Sequence, residues 1–186
     1  LAVNDLQRQL REFIHGKYGL DKLIITKSLN AYYKTPDKIA HKILADRIAK
    51  RDPGNKPQAG DRIPFIYIQS KDPHALQGDK IESPQFIRDH NLKPDFEFYI
   101  TNQIMKPVSQ IFGLCVEKLT GFKHDREYFQ RLEKGYLEKG FKEDKIEDLL
   151  KTKRQRIAED ILFKDIFRVC NSKNNASQDI KKWFCA

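Results

Sequence analysis

From Ile24 to Ile68 apolar residues and positive charges alternate so closely that any ordered element must bury one face and leave cations on the other. Between Lys22 and Arg62 there are ten lysines and arginines against four aspartates, six of the chain's nine formal positive charges. The branched run Leu23 to Leu29 predicts a strand. Thr35-Pro36-Asp37 reads as a helix start, with an N-cap threonine and a proline in the first position, and the helix is expected to reach Lys50. Asp52-Pro53-Gly54-Asn55 then stops it, and Asp61 to Gln69 predicts a second strand in which Pro64 implies an edge or a bulge. Such a density of cations on an ordered frame predicts a polyanion partner.

Wound at 3.6 residues per turn, this helix has Ile39, Ala40, Ile43, Leu44 and Ile48 on one face and Lys38, Lys42, Asp46 and Lys50 on a polar stripe. Arg47 falls within the apolar arc, where a guanidinium must snorkel, pair with an acid such as Asp46 or Asp61, or reach a phosphate. Gly54 and Asn55 tolerate unusual backbone angles, so the turn is either a plain surface turn or a set of outward amides beside Arg51 and Lys56 suited to a phosphate. Tyr32 and Tyr33 offer rings for stacking on a base or sugar, or for the core.

Elsewhere the reading is helical. Val3 to His15 is amphipathic, Lys71 to Ser83 reads as a loop with a short extended piece from Asp79 to Glu82, Ser83-Pro84 opens a short helix, and Phe96 to Leu119 is helical with a kink or break at Pro107. Two further helices are expected near Asp125 to Lys139 and Glu143 to Cys170, followed by a loose polar stretch from Asn171 to Ser177. The predicted fold class is α+β, mostly α-helical, with a small antiparallel sheet in the N-terminal half. No apolar run approaches the ~20 residues of a membrane span. The chain starts without Met inside an amphipathic helix, which predicts a segment cut from a longer protein. Cys115, Cys170 and Cys185 are far apart and odd in number, which predicts reduced thiols and an intracellular setting. The five histidines are scattered, and the acid pairs Glu143-Asp144, Glu147-Asp148 and Glu159-Asp160 read as solvated helix faces.

Three stretches resemble the thumb region of family B DNA polymerases: IITKSL from Ile24, YYKTPDKIAHKILADRIAKRDPGNKPQAGDRIPFIYI from Tyr32, and LKPDFEFYITNQIMKPVSQIF from Leu92. They contain an H-x-x-L-A-x-R helix (His41 to Arg47), a G-D-x-I-P strand from Gly60, and Y-x-x-x-Q-I-x-x-P from Tyr99 to Pro107. The wording N-K-P-Q is most similar to polymerases of large DNA viruses and their delta-type relatives. The resemblance covers Leu1 to Phe112 and becomes general beyond Lys118.

The resemblance implies residues 1–20 as the end of the palm, 21–170 as the thumb and 171–186 as a tail. It implies a grip on primer–template duplex through the phosphate backbone, with Lys27, Ser28, Lys34, His41, Lys42, Arg47, Lys50, Arg51, Asn55, Lys56 and Arg62 facing DNA and Gly54 and Gly60 shaping the backbone. The family's S-L-Y-P-S, D-T-D-S and K-K-R-Y motifs, its acidic exonuclease motifs and the cysteine-rich tail of delta-type enzymes do not occur here. The expectation is therefore an inactive fragment with no cofactor of its own, whose parent would use magnesium on palm carboxylates. Implied partners are duplex DNA, the palm and a sliding clamp, with no membrane, at a viral replication site in cytoplasm or host nucleus if the parent is viral.

The tail places Ser177, Ile180, Trp183 and Phe184 at the spacing of a clamp-binding peptide, with Ser177 where the usual glutamine stands. The alternative is Trp183 packed back on its own domain. For the chain as a whole, the alternative is a free-standing basic nucleic-acid-binding or protein-interaction module.

Overall fold

The computed structural model describes residues 2–70, 72 and 74–183, with side chains described as far as Cys170 in the last helix. The chain forms two compact units: residues 18–99, and the segment up to Lys17 together with the chain from Ile100 onward.

The 18–99 unit is built on a small antiparallel sheet. Strand β1 (Ile25–Ser28) pairs with β2 (Arg62–Tyr67), and β2 pairs with the two-residue β3 (Ile81–Glu82), in the order β1-β2-β3. Helix α2 (Ala40–Arg51) lies over it, and Leu44 and Ala45 pack with Leu29, Ile63, Phe65 and Ile81. The register sets Ile25 opposite Phe65, Thr26 opposite Pro64, Lys27 opposite Ile63 and Ser28 opposite Arg62. Pro64 therefore sits in the central strand. Leu29 N donates to Asp61 O (2.8 Å), which fixes the hydrogen-bonded pairs at odd positions of β1 and turns the Pro64 nitrogen away from it. On that far side β3 reaches only Ile66 and Tyr67, so Pro64 removes no ladder bond. Both expected strands are present, each trimmed at its ends.

The expected helix start at Thr35 is corrected. The Thr35 side chain caps nothing, Pro36–Lys38 forms a separate 3₁₀ turn, Ile39 is extended (φ −101°, ψ 103°), and α2 begins only at Ala40. Ser83 does act as a cap: its Oγ accepts from Phe86 N (3.3 Å) at the start of α3 (Pro84–Asp89). Helix α4 (Phe96–Tyr99) ends the unit. Buried Tyr99 donates its hydroxyl to Leu23 O (2.7 Å) and accepts from Tyr67 N (3.0 Å), tying the entry to β1 to the end of β2.

The second unit is helical. Helix α1 (Ala2–Ile14) buries Leu10 and Ile14, as its spacing predicts, and stops where Gly16 takes φ 70°. A π-helical stretch, Ile100–Met105, precedes α5 (Lys106–Gly113), whose first turn holds Pro107. Pro107 has no N–H to give the carbonyl four residues back, so the irregular turn lies on its N-terminal side. Helices α6 (Tyr128–Glu138) and α7 (Glu143–Trp183) complete the unit. Its core joins Leu10, Ile14, Ile100, Val116 and Phe129 to Ala158, Leu162, Phe163 and Ile166 of α7. Gln7 Nε2 donates to Ile161 O (3.2 Å), fastening α1 along α7. The expected loose stretch at Asn171 to Ser177 is corrected, because the α7 backbone stays helical to Trp183.

Candidate nucleic-acid interface

The cations of α2 divide into two groups with different tasks. Arg47 Nη2 donates to the carbonyls of Gly78 (3.0 Å) and Ile81 (2.6 Å). Its Nε lies 2.9 Å from Glu82 Oε1, an ion pair without an aligned hydrogen bond, and Nη1 is 3.7 Å from Asp79 Oδ1. One turn on, Arg51 grips Glu82 with both ends of its fork, Nη1 to Oε2 (3.1 Å) and Nη2 to Oε1 (2.9 Å), and lays its guanidinium 3.7 Å from the Phe86 ring centre. Glu82 is only 4% exposed, and its Oε2 also accepts from Ser83 N (3.0 Å). Both arginines therefore act within the unit, neutralising a buried carboxylate and locking α2 to β3. The acid that Arg47 required is Glu82, with Asp79 as a weaker partner, in place of the local aspartates Asp46 or Asp61.

The local geometry depends on Gly78. A Cβ there would stand 2.5–2.9 Å from three Ile43 side-chain atoms, so only glycine lets this carbonyl approach α2 closely enough to meet Arg47.

Other members of the expected DNA-facing set are also engaged. Lys42 pairs with Asp46 along the helix. Asn55 donates Nδ2 to Asp52 Oδ2 (2.7 Å) and its amide to Asp52 O (3.2 Å), closing the Pro53–Asn55 3₁₀ turn with its own groups. Gly54 has no positive φ; the left-handed backbone is at Gly60 (φ 96°), whose amide donates to Leu29 O (2.7 Å) and closes the β1–β2 ladder. His41 is half-buried with Nε2 2.9 Å from the Tyr33 hydroxyl, which also accepts from Asn30 N (2.7 Å). Burial, with the Lys27 charge nearby, holds the imidazole below its ordinary pKa, so His41 favours the neutral form. Tyr33 packs against the core, whereas Tyr32 is 80% exposed.

Lys27, Ser28, Lys34, Lys50, Lys56 and Arg62 are exposed. Ser28 and Arg62 face each other across β1 and β2, and Lys27 lies near His41 at the N-terminal end of α2. Lys50 is at the other end of the helix, and Lys56 lies on the chain returning to β2. Of the proposed clamp peptide, the side chains of Ser177, Ile180 and Trp183, and all of Phe184, lie outside the described residues. Among the described residues no cluster of three His, Cys, Asp or Glu side chains is placed to hold a metal ion, and no helix is long and apolar enough to cross a membrane. Cys115 is exposed and Cys170 is buried in the core of the helical unit, and no disulfide is formed among the described residues.

Sequence reasoning missed Glu82. Its signal was indirect: an arginine in an apolar arc calls for an acid, but the local sequence does not say which one the sheet will deliver.

Residues 2–115 match the profile of DNA polymerase family B. The chain is 39% identical over 189 residues to a DNA polymerase of Pyramimonas orientalis virus, covering 98% of this chain and 15% of that protein. It is 50% identical over 121 residues to a DNA polymerase of Acanthamoeba polyphaga mimivirus, covering 62% of this chain and 7% of the relative. To the DNA polymerase delta catalytic subunit of Bos taurus it is 36% identical over 112 residues, 60% of this chain and 10% of that protein. The first of these alignments continues through α6 and α7, past the point where the motifs fade. The chain thus spans 15% or less of the length of these relatives. With a profile match over more than half its length, and relatives among viral polymerases and delta catalytic subunits, the chain belongs to DNA polymerase family B.

Proposed function

We propose that this chain is a thumb region of a replicative family B polymerase that grips primer–template duplex through its phosphates. The observation that carries this reading is the division of labour on α2. Arg47 and Arg51 are both bound to Glu82, Arg51 with its side chain still 38% exposed, while Lys27, Lys34, Lys50, Lys56 and Arg62 stand exposed around the same helix and sheet with no such acid among the described residues holding them. Twelve residues of α2 span about 18 Å, the length of about five base-pair steps. Lysines on a stiff frame supply backbone neutralisation without base readout, as a protein that must pass every sequence requires. Ser28 and Asn55 would add neutral hydrogen bonds. Arg47 and Arg51 would serve by holding α2 in place. Two-metal chemistry would belong to palm carboxylates of the parent outside this chain, and the Ser177, Ile180, Trp183, Phe184 peptide would dock a sliding clamp.

The test is duplex binding titrated against salt. With about five phosphates neutralised, the log–log slope is expected to be about −4 to −5, and Lys50→Ala with Lys56→Ala should weaken all duplex sequences equally. A salt-independent affinity, or a loss confined to one sequence, would overturn the reading. Pulldown of the tail peptide with a clamp ring tests that contact separately.

A further inference from the structure

In the helical unit a cleft of about 680 Å³ opens between α5, α6 and α7. Its apolar wall includes Leu114, 81% exposed, and Leu137, 52% exposed, with Leu150 beside them. Among the described residues, the large exposed apolar side chains of this unit are confined to the segment from Ile111 to Phe141, so the cleft lies among the most apolar surface described there. Four carboxylates line it as well: Glu133, Glu143, Asp144 and Glu147. Glu143 and Asp144 also suit the positive end of α7, but Glu133 and Glu147 have no such reason to be there. None of the four is in an ion pair among the described residues. The lining cations are Lys151 and Arg154, and Arg154 is already held by Glu117 (2.5 Å) and by the Phe129 ring, 3.7 Å away. A net acidic cleft in a chain of net charge +9 is a local inversion of sign.

We propose that this cleft docks an amphipathic helix of a partner protein, with leucine-like anchors on one stripe and lysines or arginines flanking them. The anchors fill the Leu114–Leu137 wall and the cations meet the four carboxylates. A helix is the expected form because every wall is a helix, and the cleft has no strand edge to satisfy an extended backbone. Nucleic acid is the wrong occupant, because carboxylates repel phosphate.

The probe is a fluorescein-labelled helical peptide about four turns long, with leucines at i, i+3 and i+7 flanked by lysines. Its counterpart keeps the leucines and carries glutamates. Binding to the 186-residue chain is followed by anisotropy. The lysine peptide is expected to bind at least about tenfold tighter than the glutamate peptide, although the net charge of the chain favours the opposite order. Leu114→Ser should weaken it about tenfold, and Glu143→Lys with Glu147→Lys should invert the preference. These side chains are exposed, so the variants are expected to keep their helical circular dichroism. Lys50→Ala with Lys56→Ala, which tests the duplex reading, should leave peptide binding unchanged. Equal binding of both peptides, or indifference to Leu114→Ser, would overturn the proposal.

Discussion

The two units keep their interiors together by different means. The helical unit closes over an apolar core, and its only buried polar side chain among the described residues is Ser109. The sheet unit buries a full charge, Glu82, and spends two arginines of α2 on it. Apolar packing accepts many arrangements of similar volume, whereas a bidentate ion pair is satisfied by few. The helical unit is thus fixed by shape, and the sheet unit by a specific angular setting of α2 against β3.

The sharpest way to break this contrast is to remove one centrepiece from each unit. Glu82→Ala should cost about 2–4 kcal/mol, because it leaves Arg51 without its counter-charge and Arg47 with only Asp79, while the partial exposure of both guanidinium groups lets water screen part of the loss. Leu162→Ala should cost about 2–5 kcal/mol through its cavity. The distinguishing result is rescue: replacing Arg47, Arg51 and Glu82 together by apolar residues should recover most of the loss in urea unfolding, whereas no charge change rescues Leu162→Ala. Failure of the triple variant to recover stability would mean that the ion pairs contribute more than geometry.

Next comes Gly78→Ala, expected to cost about 1–3 kcal/mol, since the new methyl meets Ile43 atoms that α2 cannot move without loosening Arg47. Hydrogen exchange at Ile81 and Glu82 should rise with it. A neutral Gly78→Ala would show that α2 is free to shift.

The smallest effect is Tyr99→Phe, about 1–2 kcal/mol for the lost links to Leu23 and Tyr67. Burial pushes the Tyr99 hydroxyl up to about 12 from its ordinary 10. The folded state therefore holds this proton when the unfolded chain has lost it. The contribution is complete below pH 10 and disappears as pH climbs from 10 to about 12. Tyr99→Phe should accordingly flatten the alkaline limb of the stability profile.

Much of this was legible from local pattern. The amphipathic spacing of α1, the Ser83 cap and the Pro107 irregularity are all written within a turn or two of where they act. The first two strands were legible because their branched, apolar runs announce them on either side of α2 and the Asp52–Asn55 turn. What escaped was carried by distance: the partner of Arg47 comes from β3, which lies in the short extended piece read at Asp79 to Glu82, but nothing local says that this piece pairs with β2 and meets α2. The start of α2 escaped for a related reason, since Thr35-Pro36 marks where a turn begins without saying that Ile39 interrupts it. The expected DNA-facing set rested on residue type and resemblance. They did not separate Arg47 and Arg51, which bind Glu82, from the exposed lysines, because that depends on a carboxylate delivered by the fold.

The placement of Pro64 bears on how copies of this chain meet in solution. Among the described residues, no strand lies along Arg62 to Phe65 on the side of β2 away from β1, which ordinarily invites a neighbouring chain to add one. Pro64 points its donorless nitrogen to that side, and Arg62, two residues before it, shares its face of the strand and adds a charge. A second copy approaching there meets a missing hydrogen bond and a repelling cation, so this stretch of β2 is protected against pairing with a strand of another molecule.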